Sequence, residues 1–249
     1  MQALGAPNDW NGKLALTLYM EDICPNRSLD LEVLAVADEL PAGAAAAKPL
    51  QLGKLQTAII EIKKITGKPT VKNLQSLGNL HATKLTMAQL KTTVRTGWDD
   101  KNLYFHYTAE DVPGRKPNTE GSKINKPWFC DSVEFFAGKT NDPGMLYHMI
   151  IDTTDCRYAE DMTLLRKAGD KNIIHPGSDV KTKYTLRDGS WTCLITVPWS
   201  VLGGKPEKGK LVPFNLMRNR LEQGKSDNYT LVPSKAYFTG KQFQFKLVD

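Results

Sequence analysis

Residues 90–107, LKTTVRTGWDDKNLYFHY, hold two runs in which every second side chain has the same character. Leu90, Thr92, Val94 and Thr96 alternate with polar neighbours, the period of a half-buried strand. The run ends in Gly97-Trp98-Asp99-Asp100-Lys101-Asn102, which is rich in turn formers, and Leu103, Phe105 and Tyr107 resume the alternation beyond it. Strand, turn and strand in this order predict an antiparallel hairpin.

Toward the C-terminus the same pattern repeats. Ser132–Phe136, Leu146–Asp152, Thr182–Arg187, Trp191–Pro198, Val212–Arg220 and Gln242–Val248 each read as a strand. Asp111 to Pro127 reads as a polar loop with few large apolar side chains, and Ala159–Ala168 (AEDMTLLRKA) as a short helix or a loop. Many short strands with turn residues between them and scarcely any helix predict an all-β antiparallel β-sandwich of jelly-roll or immunoglobulin-like architecture.

Toward the N-terminus the pattern breaks at Thr66-Gly67-Lys68-Pro69. Before the break, Lys13–Met20, Leu29–Val33 and Thr57–Ile65 alternate like strands, and Pro41 to Pro49 is a small-residue spacer. Three strands are too few to close a sandwich alone. Residues 1–67 therefore read as a short β-rich segment, either the end of a preceding accessory domain or strands docked on the sandwich, and residues 68–249 as the sandwich itself.

Composition narrows the function. The 249 residues are 41% hydrophobic and 24% charged, enough apolar material for a core. No stretch approaches the roughly 18 consecutive apolar residues of a membrane helix, so no membrane partner is expected. The net charge of +6 comes from 33 basic residues scattered among 27 acidic ones, with no basic run longer than Lys63–Lys64. A nucleic-acid surface would cluster them, so no nucleic-acid partner is expected either. The start, MQALGAPNDWNGK, lacks the basic and apolar regions of a secretory signal. Cys24, Cys130, Cys156 and Cys193 form no C-x-x-C pair; two disulfides are permitted, none is demanded, and Cys193 reads as a buried thiol.

Four motifs occur in succession. They are Trp98-Asp99-Asp100-Lys101-Asn102-Leu103-Tyr104, Trp128-Phe129-Cys130-Asp131-Ser132-Val133-Glu134-Phe135-Phe136, Gly189-Ser190-Trp191 with Ile195-Thr196-Val197-Pro198-Trp199-Ser200-Val201-Leu202-Gly203, and Phe214-Asn215-Leu216-Met217-Arg218-Asn219. In this order they resemble the family 9 carbohydrate-binding modules and their relatives, over about Pro69 to Asp249. The resemblance implies a β-sandwich without a catalytic centre of its own. It would bind polysaccharide or oligosaccharide and be covalently linked to a catalytic domain, in a secreted glycoside hydrolase or related enzyme. The implied location is extracellular or periplasmic.

A sugar ring offers apolar C–H faces to a flat aromatic side chain and a rim of hydroxyls to carboxylates and amides. By resemblance, Trp128 is the first of two aromatic clamps and Glu134 the hydroxyl-binding carboxylate. The second clamp is usually a tryptophan in the last loop, but here Asp227 to Lys235 offers only Tyr229, with Asn228 beside it. His148 stands where xylan- and glucan-binding members carry an arginine, so their sugar preference does not transfer. Arg218 and Asn219 are adjacent on one strand and point to opposite faces, so at most one of them reaches the pocket. Trp98, Trp191 and Trp199 read as core. The resemblance also implies structural calcium, for which Asp99-Asp100, Asp152–Asp155 and Glu160-Asp161 offer oxygen ligands.

Three rival readings come from other classes. Catalysis lacks a motif such as G-x-S-x-G, and Asp131 and Glu134, at odd spacing on a strand, face apart. Haem binding would use His148 or His175 with one of the seven methionines. A structural spacer of a larger extracellular enzyme would be a sandwich whose sugar site is lost.

Overall fold

A computed structural model describes residues 58–82, 90–163, 172–222, 225–231 and 243–249. The strands read at 13–20 and 29–33, the spacer at 41–49, Cys24 and residues 232–235 lie outside them. Among the described residues the strands run β1 (Ala58–Lys63), β2 (Gln75–Asn79), β3 (His81–Ala82), β4 (Thr92–Trp98) and β5 (Asn102–Glu110). After two single-turn 3-10 helices come β6 (Ser132–Gly138), β7 (Met145–Asp152), β8 (Arg157–Thr163), β9 (Ile173–His175) and β10 (Lys181–Arg187). The last four are β11 (Ser190–Pro198), β12 (Val212–Glu222), β13 (Lys225–Thr230) and β14 (Phe243–Val248).

These strands make two layers. One sheet has the order β10-β11-β5-β4-β2; the larger has the order β1-β14-β12-β6-β7-β8-β9, with β13 beside β12 and β3 beside β13. The pairings are antiparallel except β1 with β14 and the bridge from Lys64 to Trp98. The inner faces meet in one core containing Phe105, Phe135, Tyr147, Trp191, Phe214 and Phe245. Two tyrosine hydroxyls stitch the layers: Tyr107 donates to the backbone carbonyl of Glu134 and Tyr184 to that of Ile151, each at 2.8 Å.

The hairpin of residues 90–107 shows why its turn needs these residues. One carboxylate oxygen of Asp99 accepts the backbone N–H groups of Lys101 at 2.8 Å and Asn102 at 2.7 Å, and the other accepts the Tyr104 hydroxyl at 2.6 Å. The Trp199 indole donates to the Asp99 carbonyl at 2.8 Å, tying the turn to the end of β11. The Trp98 indole donates to the carbonyls of Ile62 and Val248, so the turn also fastens the first and last strands. Trp98, Trp191 and Trp199 are all buried, as is the Cys193 thiol.

Two elements depart from what the sequence reading assigned to them. Residues 157–163 are a strand rather than a helix or loop, and residues 225–230 are a strand where the sequence suggests a loop. At the N-terminal break the pairing bears on the second of the two alternatives, strands docked on the sandwich. Ala58–Lys63 pairs in parallel with Phe243–Val248, Lys64 donates to the Val248 carbonyl at 3.0 Å and Ile65 to that of Trp98 at 2.8 Å. Residues 58–65 therefore belong to the sandwich, and the break at 66–69 is the turn between two of its strands.

That placement has a measurable consequence. Ile62 is fully buried while Ile59 is 51% exposed. Ile62→Ala should lower the free energy of unfolding by about 2–5 kcal/mol, the range for a buried isoleucine. Ile59→Ala should stay within about 0.5 kcal/mol. Denaturant unfolding of both variants checks this, and equal small effects would place β1 outside the folded unit.

Candidate functional site

Along β6 every residue is buried, so both faces of this strand are covered. Val133, Phe135 and Ala137 enter the core, which leaves Ser132, Glu134 and Phe136 on the outer face of the large sheet. Register carries the outer set across the neighbours. Phe136 pairs with His148, His148 with Glu160, Ile150 with Tyr158, and Asn219 with both Ser132 and Asn228. Directly opposed residues share a face and their diagonal neighbours are within reach of long side chains.

The result is a polar bridge. His148 is 6% exposed and Glu134 and Glu160 are 8% and 4% exposed. Its Nε2 lies 3.0 Å from Glu134 Oε2 and its Nδ1 lies 2.9 Å from Glu160 Oε1. A neutral imidazole has one N–H and would leave its other lone pair facing a carboxylate; the imidazolium donates from both nitrogens. Burial alone would depress this imidazole, but the two carboxylates outweigh it and hold the group above its ordinary range. Burial would raise Glu160; hydrogen bonds from His148, Tyr158 and Asn172 overcome that and hold it below the usual carboxylate range.

The remaining carboxylate oxygens are also engaged. Asn219 Nδ2 donates to Glu134 Oε1 and to the Ser132 hydroxyl, the latter at 3.0 Å. Glu160 Oε2 accepts the Tyr158 hydroxyl at 2.7 Å and an N–H of Asn172. The His148 ring lies flat on Phe136, with centroids 4.1 Å apart and planes 7° from parallel.

Trp128 stands at the mouth of this face, half-buried in the 3-10 turn Pro127–Phe129 that leads into β6. Its ring meets Tyr158 edge to face, centroids 5.2 Å apart and planes at 84°. The loop that carries Trp128 is anchored by Asp131. That carboxylate accepts Arg115 at 2.8 Å, the backbone N–H of Asn118 at 2.7 Å and that of Leu221 at 2.9 Å. Gly121 lets the loop close on itself, since a Cβ there would collide with the Lys126 carbonyl.

Of the seven residues read from the sequence, Trp128, Glu134, His148, Asn219 and Asn228 come together on this outer face. Arg218 and Tyr229 do not, and their assignment to the sugar site is corrected. They pair directly with each other on β12 and β13 and point into the core, 0% and 1% exposed. There the Arg218 guanidinium lies 5.3 Å from the ring centroids of both Trp191 and Tyr229. It donates to the Thr92 hydroxyl at 2.9 Å and faces Asp111 at 3.6 Å. Alternation decides the matter: Asn219 and Asn228 face outward, so their neighbours in sequence face inward.

Sequence reasoning missed Tyr158 and Asn172 and took Glu160 only as an oxygen ligand. The missed signal is the spacing Tyr158-x-Glu160, which places both on one face once residues 157–163 are a strand. The acidic side chains named for calcium have partners within the protein. Asp99 holds its turn; Asp100 pairs with Lys64 and Lys205; Asp152 accepts Ser122, Thr154 and Cys156; Asp155 pairs with Arg157; and Asp161 pairs with Lys139. Among the described residues no three His, Cys, Asp or Glu side chains converge as a metal site. Both nitrogens of His148 face carboxylates, an arrangement that does not fit an axial haem ligand. Among the described residues Cys130, Cys156 and Cys193 are free thiols.

Comparison with known proteins covers about three quarters of the chain. A family model described as carbohydrate family 9 binding domain-like matches residues 69–244. A family 9 carbohydrate-binding module from Caldicellulosiruptor kristjanssonii, solved with cellotriose, is similar at 17% identity and TM-score 0.56, over 76% of this chain and 93% of that one. The same description with glucose matches at 17% identity and TM-score 0.55, over 77% and 96%. A putative carbohydrate-binding protein from Bacteroides uniformis matches at 13% identity and TM-score 0.57, over 76% and 99%. No curated protein matches the chain.

The bridge makes stability depend on pH in a defined direction. A raised imidazole contributes fully below its unfolded value of about 6.5 and loses that contribution as pH rises through its folded value. A lowered Glu160 contributes above about 4.5 and loses it as pH falls. The melting temperature of the native chain should therefore fall relative to His148→Asn as pH rises from about 6.5 to 9; parallel profiles would mean the bridge holds no charged imidazole. Arg218→Ala, by contrast, should destabilise by about 2–5 kcal/mol, because removing a fully buried side chain from against two rings leaves a cavity. Chemical denaturation at a single pH checks it, and a near-neutral effect would refute a structural role for the cation.

Proposed function

The chain belongs to the carbohydrate family 9 binding domain-like family, and from that premise we propose that it is a non-catalytic module that binds oligosaccharide or polysaccharide on the outer face of its large sheet. The observation that carries the proposal is the half-buried Trp128 ring packed edge to face on Tyr158, whose hydroxyl is bound to the carboxylate and amide cluster of the outer face. An aromatic plane covers a sugar's C–H face at low entropic cost, and anionic acceptors take the hydroxyl donors of its rim. The cellotriose and glucose held by the similar modules support a neutral glycan as the first ligand to test.

The same cluster argues against hydrolysis. A glycosidase needs one carboxyl group kept protonated as a general acid. Here Glu134 and Glu160 share one imidazolium, and Glu160 is held below the usual carboxylate range. Asp131 is committed to Arg115 and the loop backbone. In the proposed setting the module directs a linked catalytic domain of a secreted, extracellular or periplasmic enzyme to its polysaccharide, which family kinship supports.

Affinity electrophoresis through gels containing soluble glucans, xylans and mannans tests the reading. Retardation on at least one is expected, and Trp128→Ala should weaken it at least about tenfold, or 1.4 kcal/mol. Glu134→Gln should weaken it with the fold retained by circular dichroism. No retardation on any polysaccharide would select the spacer reading instead.

A further inference from the structure

The small sheet has an outer face of its own, and its charge is basic. Tyr184 packs against the core and its hydroxyl reaches the Ile151 carbonyl, so Lys181, Lys183, Thr185 and Arg187 on β10 point outward. All four are exposed. Register carries two rows from them across the sheet. Thr185 pairs with Thr192, Thr192 with Thr108 and Thr108 with Thr93, a line of threonines over four strands. Beside it Lys183 pairs with Leu194, Leu194 with His106 and His106 with Arg95. Ile65 and Leu74 cover Tyr104 at one end of the face, and Arg95 donates to the Leu74 carbonyl at 3.0 Å. The open part is therefore the threonine line and the cations of β10.

The neighbouring carboxylates sit at strand ends. Glu110 accepts the backbone N–H of Lys91 at 3.1 Å, Asp188 accepts that of Gly114 at 2.6 Å, and Asp179 lines a cleft with Tyr147 and His175. Among the described residues Lys181, Lys183 and Arg187 pair with no carboxylate. Cations of this kind make charge-assisted hydrogen bonds to carboxylates, and threonine hydroxyls both donate and accept. Spacing selects the kind of anion. From Lys181 to Arg187 the strand rises about 20 Å and presents three cations. A nucleic-acid strand carries a charge about every 3.4 Å, far denser than this row. It would also seek a ring for its bases, and Tyr104 is buried. Sparse cations beside a line of hydroxyls match a polymer whose carboxylates are set among hydroxyls.

We propose that the outer face of the small sheet is a second binding surface, and that its ligand is a carboxylate-bearing polysaccharide. The chain lies across the threonine line with its carboxylates on Lys181, Lys183 and Arg187. This surface belongs to the other sheet from Trp128, so it stands or falls separately from the site described there.

Isothermal titration of the full chain with polygalacturonate tests it, with single-stranded DNA as a second polyanion. The triple variant Lys181→Ala, Lys183→Ala, Arg187→Ala is compared with Lys205→Ala, Lys208→Ala, Lys210→Ala, which removes the same charge from exposed lysines elsewhere. Melting temperatures check each fold, and glutamine at the three β10 positions gives the same comparison if the alanine variant does not fold. Native protein should bind polygalacturonate, more weakly as salt rises. The β10 variant should lose at least about tenfold, or 1.4 kcal/mol, and the control should stay within about threefold. Trp128→Ala should bind polygalacturonate like the native chain. Equal losses in the two triple variants would reduce the effect to net charge and overturn the surface. Loss in Trp128→Ala with full binding in the β10 variant would move the acidic ligand to the other sheet and overturn it as well. Single-stranded DNA binding as tightly as polygalacturonate, with the same dependence on β10, would overturn the ligand class. No binding of polygalacturonate by native protein would overturn the proposal and leave the Trp128 site untouched.

Discussion

The imidazole of His148 spans the carboxylates of Glu134 and Glu160, and the outer face of the large sheet is arranged around that bridge. Three adjacent strands each supply one member, so the bridge exists in one register only. A slip of one residue on β7 would send His148 into the core and Met149 onto the polar face. It would also strand two buried carboxylates, and an uncompensated buried charge costs several kcal/mol. The contact thus does two things at once: it fixes the pairing of β6, β7 and β8, and it allows acidic groups to remain on a buried surface. Asn219 extends the bridge to β12, and Tyr158 with Asn172 closes it on the other side.

The inner face solves a similar problem with the opposite sign. Arg218 is buried between the Trp191 and Tyr229 rings, with Asp111 nearby. Burial depresses this guanidinium below its ordinary value and the charge of Asp111 works against that, which leaves it a cation. Asp111 also pairs with Arg115 and Arg220, and Arg115 pairs with Asp131. Asp131 holds the loop that ends in Trp128. A line of ion pairs therefore runs from the core, through the loop, to the aromatic residue at the mouth of the outer face. The position of Trp128 is a property of the whole sandwich rather than of its own loop.

The legible part of the structure is the part with local periodicity. The hairpin at 90–107, β6, β7, β11 and β12 have one large apolar residue at every second position, and each reads as a strand. Residues 157–163 escape that reading because both faces are buried and the charges of Glu160 and Asp161 are satisfied by His148 and Lys139, partners that sequence does not display. The strand at 225–230 is polar, so it carries no apolar alternation. The place of β1 depends on pairing Ala58 with Phe243, a contact with no local trace. In the candidate site the motif around Trp128 and Glu134 is readable. Nearness to a motif suggests Tyr229, whereas its facing depends on register with Arg218.

This division has a consequence for what likeness in fold can say about the ligand. In a strand, the residues that build the core and those that meet a ligand alternate, so either set can change while the other stays. Val133, Phe135, Tyr147, Met149 and Ile151 line the core of the sandwich. Ser132, Glu134, His148, Tyr158, Glu160 and Asn219 sit between them and answer to a different constraint. A group of carboxylates around an imidazolium, with the Tyr158 hydroxyl bound to it, is a specific chemical surface. The identity of the ligand has to be argued from those interleaved residues, because the fold that carries them leaves their identities open.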